Sequence, residues 1–453
     1  MNENTKTTKL APLKFRQIIA YGTGDLGFAL IIHMTGLFLL YFWTDIFGIS
    51  AAAAGSIFLI AKIWDAINDP IMGYLSDRTR TRWGRYKPYL LFGTVPLVIF
   101  NILLWVTPNF GATGKYIYAL AIYICWGMAY TATNLPYGSM AAVFTQDPKE
   151  RTSLAAARMF FGMPGIVIIS VVTPIIVSIF SSEKTGYPIA VIIYSVIAAV
   201  LLFSVFFSVK ERIKPNTKDS YSLKEMISLI KNNTPLLLLS AAVFLVGIGN
   251  GIRLMMALYY FEYNIGQPSL FTVFVVINVG MMMVGALLSV VLGKKMSKSN
   301  LYNLGIILFV IGDLGIFFSP YSSIAMIMLF SAISGLGGGM AYTLVWALVA
   351  DTVEYGEWKS GKRAEGVTYS TYSFFGKLAG AVGAAFGGFV LDASGYIPHA
   401  AQTVAVENTI RGLFSLTPVI TGIIALIVMR FYKLDNKFFQ KILTDLEVRR
   451  GNA

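Results

Sequence analysis

The chain has 453 residues, 56% of them hydrophobic and 13% charged, with a mean hydropathy of +0.67. Charge at about half the roughly 25% of soluble domains excludes one large soluble core and predicts a polytopic membrane protein. The net charge of +13 would suit a nucleic-acid binder only if Lys and Arg gathered on one folded face, whereas nearly all of them lie in the terminal segments and in loops between apolar spans, next to lipid headgroups. The single cysteine, Cys125, excludes an intrachain disulfide, and His33 and His399 are the only histidines, so no spacing suggests a metal site.

Residues 1–16 are polar and basic and lead into an apolar stretch without an Ala-x-Ala-like motif, so no cleaved signal peptide is expected. Twelve apolar stretches follow, at 17–46, 51–74, 86–107, 115–143, 153–180, 187–209, 236–263, 268–292, 300–318, 323–350, 364–393 and 408–433. Most are long enough to cross about 30 Å of hydrocarbon at about 1.5 Å per residue, the one at 300–318 only marginally. The predicted fold is all-α, with twelve transmembrane helices in two pseudo-symmetric bundles of six.

Lys and Arg concentrate in alternate loops, and the opposite loops hold only Lys115, Lys184 and Arg411. The excess of positive charge places both termini in the cytoplasm of a multi-pass plasma-membrane protein. The one long polar linker, 210–235, separates bundles at 1–209 and 236–433, and a tail follows at 434–453. A weak echo supports the repeat: Phe160-Phe-Gly162 opens the fifth span and Phe374-Phe-Gly376 the eleventh.

The second span carries Asp65 and Asp69 four residues apart, hence on one helical face. An unpaired charge at the bilayer centre costs roughly 3 kcal/mol or more, so such acids pair, face a cavity or mark an ion path. With Asn68 and a nearby Lys62 they form a group able to hold a small cation or a proton. The other intramembrane charges are Asp25, Arg158, Arg253, Asp313 and Lys377, each of which can alternatively serve as a structural ion pair. The fourth span adds Tyr130, Thr131 and Asn134 beside Pro136, which frees a backbone carbonyl and marks a cavity wall or a simple kink. Tyr130, Tyr342, Trp346 and Tyr372 have polar neighbours and can stack on a sugar ring.

The loop Gly73-Tyr-Leu-Ser-Asp-Arg-Thr-Arg-Thr-Arg-Trp-Gly-Arg-Tyr-Lys87 follows the second span, and a thinner version, Gly293-Lys-Lys-Met-Ser-Lys298, follows the eighth. Their recurrence predicts a gating latch in which Asp77, Arg82 and Arg85 exchange ion pairs with Asp351, Glu354 and Glu357. Simple positive-inside topology is the alternative reading.

The runs Trp64-Asp-Ala-Ile-Asn-Asp-Pro70, Thr81-Arg-Trp-Gly-Arg-Tyr-Lys-Pro88 and Asp351-Thr-Val-Glu-Tyr-Gly-Glu357 resemble the glycoside–pentoside–hexuronide:cation symporters of the major facilitator superfamily. The resemblance extends from Tyr21-Gly-Thr-Gly-Asp25 to Phe431-Tyr-Lys-Leu-Asp435. It implies alternating access, a cation site at Asp65, Asn68, Asp69 and Thr131, and sugar contacts at Tyr130, Arg158 and Lys377. Asp25, Asn134, Arg253, Tyr342 and Ser373 complete the expected substrate-binding set. The chain departs from the melibiose branch at Ala29, Asn134 and Gly138, so that branch's specificity does not carry over.

The expected function is therefore import of a small glycoside with H⁺ or Na⁺, the Na⁺ ligated at Asp65 and Asp69. The substrate is either acidic (a hexuronide or sulfonated sugar) or a neutral glycoside or pentoside. An efflux carrier of the same superfamily is the rival transporter class. No nucleophile, metal-ligand or nucleotide-binding pattern suggests an enzyme or a cofactor. The expected partners are sugar and lipid, with no nucleic acid, and the carrier is expected to work as a monomer.

Overall fold

Apolar runs of this length fold as helices because lipid offers no partner for an open backbone N–H or C=O. The computed structural model describes residues 13–145, 148–209, 211–212, 223–293, 295–362 and 364–451. Among them α1 (Phe15–Tyr41) runs on into a π-helical turn, Phe42–Phe47, and is followed by α2 (Ala51–Arg78), α3 (Lys87–Leu103) and α4 (Ala112–Phe144). Next come α5 (Pro148–Ile179), α6 (Glu183–Ser208), the short α7 (Leu223–Lys231) and α8 (Thr234–Tyr259), which ends in a π-helical turn at Tyr260–Asn264. The order continues with α9 (Ser269–Leu292), α10 (Lys298–Phe318), α11 (Ile324–Ser360) and α12 (Glu365–Ala393). Last are α13 (Val404–Arg411), α14 (Thr417–Met429) and α15 (Asn436–Gly451).

Ten helical segments of the described residues are long and apolar enough to cross a membrane. The shorter apolar α3 and the 33-residue α4 occupy the predicted third and fourth crossings, which gives the twelve-helix order. The amphipathic α7 lies inside the predicted linker.

The chain divides into two compact units, one of residues 1–35 and 63–218, the other of 36–62 and 219–453. In the first, a buried polar chain ties three helices together. The Trp126 indole donates to Asn101 at 3.1 Å, and the Asn101 amide donates to Ser195 at 2.9 Å, linking α4, α3 and α6. Each of these buried groups finds a partner, so the network fixes register without leaving an orphan in lipid.

In the second unit α11 carries Gly335, Gly337 and Gly339, which press directly on the backbones of α9 and α10. Small residues allow this approach, and dispersion across the close backbones replaces the hydrophobic drive that lipid cannot supply. The linker-based division groups residues 36–62 with the first six spans. Within the second compact unit, Phe38 meets Phe271 with ring centroids 5.6 Å apart, and Gly55 lies against Ala385 and Gly388.

Candidate functional site

The helical period puts Asp65, Asn68 and Asp69 on one face of α2, and burial follows that face. Asp65 is 9% exposed and Asn68 4%, whereas Ile63, Trp64, Ile67 and Ile71 of the same helix are exposed. Opposite them, α4 presents Gly127 and Thr131 at the same four-residue spacing. Thr131 donates to Asp69 at 3.0 Å, and a Cβ on Gly127 would lie 2.9 Å from Asp65 Oδ1. Glycine thus makes the room that the first carboxylate needs, and threonine bonds the second. Nδ2 of Asn68 is buried and has no hydrogen-bond partner among the described residues. Two carboxylates, an amide and a hydroxyl make a compact set of oxygen ligands suited to a proton or a small hard cation.

A second cluster forms on α1, α4 and α5 of the same unit. Arg158 grips Asp25 with both ends of its fork, Nε to Oδ2 at 2.6 Å and Nη2 to Oδ1 at 3.0 Å. The Tyr137 hydroxyl lies 2.6 Å from Asp25 Oδ2 and 2.5 Å from the Tyr21 carbonyl; its single proton serves one of these acceptors at a time. Tyr21 returns the contact, donating to the Tyr137 carbonyl at 3.0 Å. The guanidinium of Arg158 lies over the Tyr137 ring at 5.0 Å. Tyr130 stacks on Trp126 and meets Phe28 edge-on, each with centroids 5.6 Å apart. Asn134 is half-buried one turn further along α4. Tyr137 and Tyr21 were not among the sequence-predicted residues, although Tyr137 is seven residues from Tyr130, two turns along the same helical face.

In the second unit Arg253 and Asp313 form a fully buried pair, with Nε 3.1 Å from Oδ1 and exposures of 1% and 0%. Tyr342 is exposed on α11, while Ser373 and Lys377 are exposed on α12. Trp346 meets Tyr372 edge-on at 5.2 Å.

The predicted gating groups are anchored locally. Glu211, just after α6, accepts the backbone N–H groups of Arg85, Tyr86 and Lys87 at 2.7, 2.7 and 3.0 Å. It therefore caps α3 with a carboxylate where the helix dipole favours one. Arg85 also donates to the Ser76 carbonyl, and Arg82 lies over the Trp83 ring at 4.2 Å. The side chain of Asp77 lies outside the described residues. In the second unit Lys298 holds both oxygens of Asp351, at 2.7 and 2.8 Å; Glu354 and Glu357 are half-buried on the same helix. Each basic loop is thus pinned by one acid, Glu211 or Asp351.

Asp45 lies outside the sequence-predicted set as well. In the π-helical turn after α1 it accepts the hydroxyls of Tyr263 and Tyr396, each at 2.6 Å, and that of Thr44 at 2.5 Å. His399 Nε2 sits 2.7 Å from its carbonyl oxygen. Burial holds the Tyr396 phenol well above its ordinary range, so it stays a donor.

Two units of apolar helices, with acids set against hydroxyls and arginines inside them, define a polytopic membrane transporter. The chain belongs to the MFS/sugar transport protein family, whose model matches residues 20–436. It is 34% identical to the "Glucuronide carrier protein homolog" of Escherichia coli (strain K12), over 97% of this chain and 96% of that one. It is 33% identical to the "Isoprimeverose transporter" of Lactiplantibacillus pentosus, covering 95% and 91%, and to the "Putative glycoside/cation symporter YagG" of Escherichia coli (strain K12), covering 98% and 97%. Among solved structures it resembles a bacterial homolog of the human lysosomal transporter Spinster in an inward-facing state, with TM-score 0.69 and 13% identity over 96% of this chain and 99% of that one. That likeness concerns the fold.

Proposed function

We propose that the protein imports a small glycoside together with H⁺ or Na⁺ by alternating access in the plasma membrane, with both termini in the cytoplasm. The observation that carries this reading is the group Asp65, Asn68 and Asp69 on one face of α2, the first two buried and Asp69 half-buried, with Thr131 donating to Asp69 at 3.0 Å. Buried acids in lipid are expensive, and a bound cation offsets that cost. The similarity to a protein named as a glycoside/cation symporter supports coupling. An amide rather than a carboxylate at Asn134 favours H⁺ over Na⁺.

The substrate is best read as a neutral glycoside. Asp25 already balances Arg158 and Asp313 already balances Arg253, so neither arginine needs a substrate anion for neutrality. The isoprimeverose relative supports this choice, and the glucuronide relative supports the acidic alternative. The sugar contacts are assigned to Tyr130, Asn134 and the Asp25–Arg158 pair.

The test is uptake into proteoliposomes of neutral glycosides and their uronide counterparts, driven in turn by a pH gradient and a Na⁺ gradient. Accumulation of a neutral glycoside under one of these gradients is expected. Failure of both gradients to drive any uptake would overturn the symport reading, and exclusive uptake of the uronide would overturn the neutral one.

A further inference from the structure

The chain leaves α14 at Met429 and passes through residues 430–435 into α15. Tyr432 and Leu434 are buried on the way, while Arg430, Phe431 and Lys433 are exposed. The inner face of α15 then sets its rotation. Ile442 and Leu446 are buried, and the Phe438 ring meets Trp358 of α11 edge-on at 5.8 Å and Tyr355 at 6.4 Å. The Trp358 indole donates to Asp445 at 2.9 Å, and Arg449 donates to the Trp358 carbonyl at 2.7 Å. With Phe438, Ile442 and Leu446 turned to the core at four-residue steps, the helical period leaves Lys437, Lys441, Thr444 and Val448 on the exposed side.

Arg430, Lys433, Lys437 and Lys441 thus follow one another along the exposed side of the tail. None of the four is in an ion pair among the described residues. Other cations of the same unit are taken: Lys298 by Asp351, Lys362 by Glu225 and Lys359 by the Tyr355 ring. Asp435 is the one carboxylate between Arg430 and Lys441, and its Oδ1 is engaged by the Phe438 N–H at 2.8 Å.

Water satisfies an exposed amine, so the charges by themselves ask for no partner. Their position does. They begin where a membrane crossing ends, beside Phe431, whose ring is 62% exposed. A ring and long basic stems at that level suit the boundary between acyl chains and headgroups, the ring facing the chains and the amines reaching phosphates. An anionic leaflet attracts basic residues placed next to a crossing. A soluble acidic partner would match the charges and leave the ring unexplained.

We propose that the face formed by Arg430, Lys433, Lys437 and Lys441 is a docking surface for anionic phospholipid headgroups, with Phe431 seated at the headgroup–acyl boundary. Lipid that holds the outer side of α15 also holds Phe438 and Asp445 against Trp358, and so steadies the end of α11 that carries Asp351. The surface goes beyond the transport reading and does not depend on which sugar or cation is carried.

Hydrogen exchange read by mass spectrometry tests it on the full-length chain in lipid nanodiscs, in peptides covering 430–451. Discs of phosphatidylcholine are compared with discs of phosphatidylcholine and phosphatidylglycerol in equal parts. Phosphatidylglycerol should slow exchange across α15 at least about fivefold, the effect of one basic residue worth about 1 kcal/mol at an anionic surface. Salt at about 1 M, where charges are screened within about 3 Å, should remove most of that slowing. The triple variant Lys433→Gln/Lys437→Gln/Lys441→Gln leaves the inner face intact and should lose the slowing. Only the ratio between the two kinds of disc is read, so a change in the variant's own stability cancels. Glycerol phosphate added to neutral discs should leave exchange unchanged.

Equal exchange of the wild-type chain in the two kinds of disc overturns the proposal without recourse to a variant. Slowing that persists in the triple variant, or that salt leaves intact, puts the lipid effect elsewhere and overturns it too. Slowing by free glycerol phosphate would make the face a soluble-anion site and overturn the assignment to lipid.

Discussion

Glu211 closes over Gly84: a Cβ built on that glycine would lie 2.6 Å from the carboxylate carbon. Gly84 has φ of +115°, which L side chains rarely adopt, so both its backbone and its missing side chain are required for the loop to turn under Glu211. The carboxylate then satisfies three backbone donors at the start of α3. Glu211→Ala should destabilise this end of α3 by about 1–2 kcal/mol, the range of a lost cap and its dipole interaction. Gly84→Ala should do the same with Glu211 intact. Thermal unfolding in detergent and proteolysis between α2 and α3 measure both. Wild-type resistance in both variants would leave the contact without a structural role.

On the proposed cation site, Asp65→Asn and Asp69→Asn should each abolish uphill accumulation while sparing part of downhill exchange, because they remove a carboxylate charge and keep the shape of the side chain. Uphill transport at the wild-type level in both would remove α2 from the coupling mechanism. Thr131→Val loses one hydrogen bond to a charged group, about 1.5–3 kcal/mol, and should weaken apparent cation affinity by roughly 10-fold or more. Gly127→Ala should weaken it too, since the new methyl meets Asp65 Oδ1 at 2.9 Å.

Arg158→Lys should behave as a loss of function. A lysine cannot reproduce the two-point grip on Asp25, whose second contact comes from Nη2 at 3.0 Å. Initial rates of counterflow should fall at least about tenfold, the equivalent of about 1.4 kcal/mol. Tyr137→Phe removes one of the groups on Asp25 Oδ2 and leaves Arg158 in place, so its effect should be smaller. The reverse order would mean that the tyrosine rather than the arginine positions Asp25.

Asp45→Asn keeps the size of the side chain but replaces a carboxylate that three hydroxyls approach within 2.6 Å. The loss of charge-assisted bonds worth about 1.5–3 kcal/mol should speed amide hydrogen exchange in the Phe42–Phe47 turn by roughly 10- to 100-fold. Mass-spectrometric exchange at 36–62 reports this directly. Unchanged exchange there would show that Gly55, Ala385 and Gly388 hold the segment without Asp45.

The sequence by itself determined the twelve crossings and the shared face of Asp65, Asn68 and Asp69. Both follow from local rules: a helix must be long enough to span lipid, and four residues bring a helix back to the same face. The local period also made Thr131 and Asn134 legible on α4. Tertiary structure alone decided the partners. Asp25 meets Arg158 across 133 residues, Glu211 meets the α3 cap across more than a hundred, and Asp45 meets Tyr396 across 351. It also paired Arg253 with Asp313 across the second unit, both fully buried. No hydrophobic period encodes such pairings. They arise when packed helices bring side chains from distant turns within 3 Å of one another, and in lipid a polar group that finds no such partner is costly.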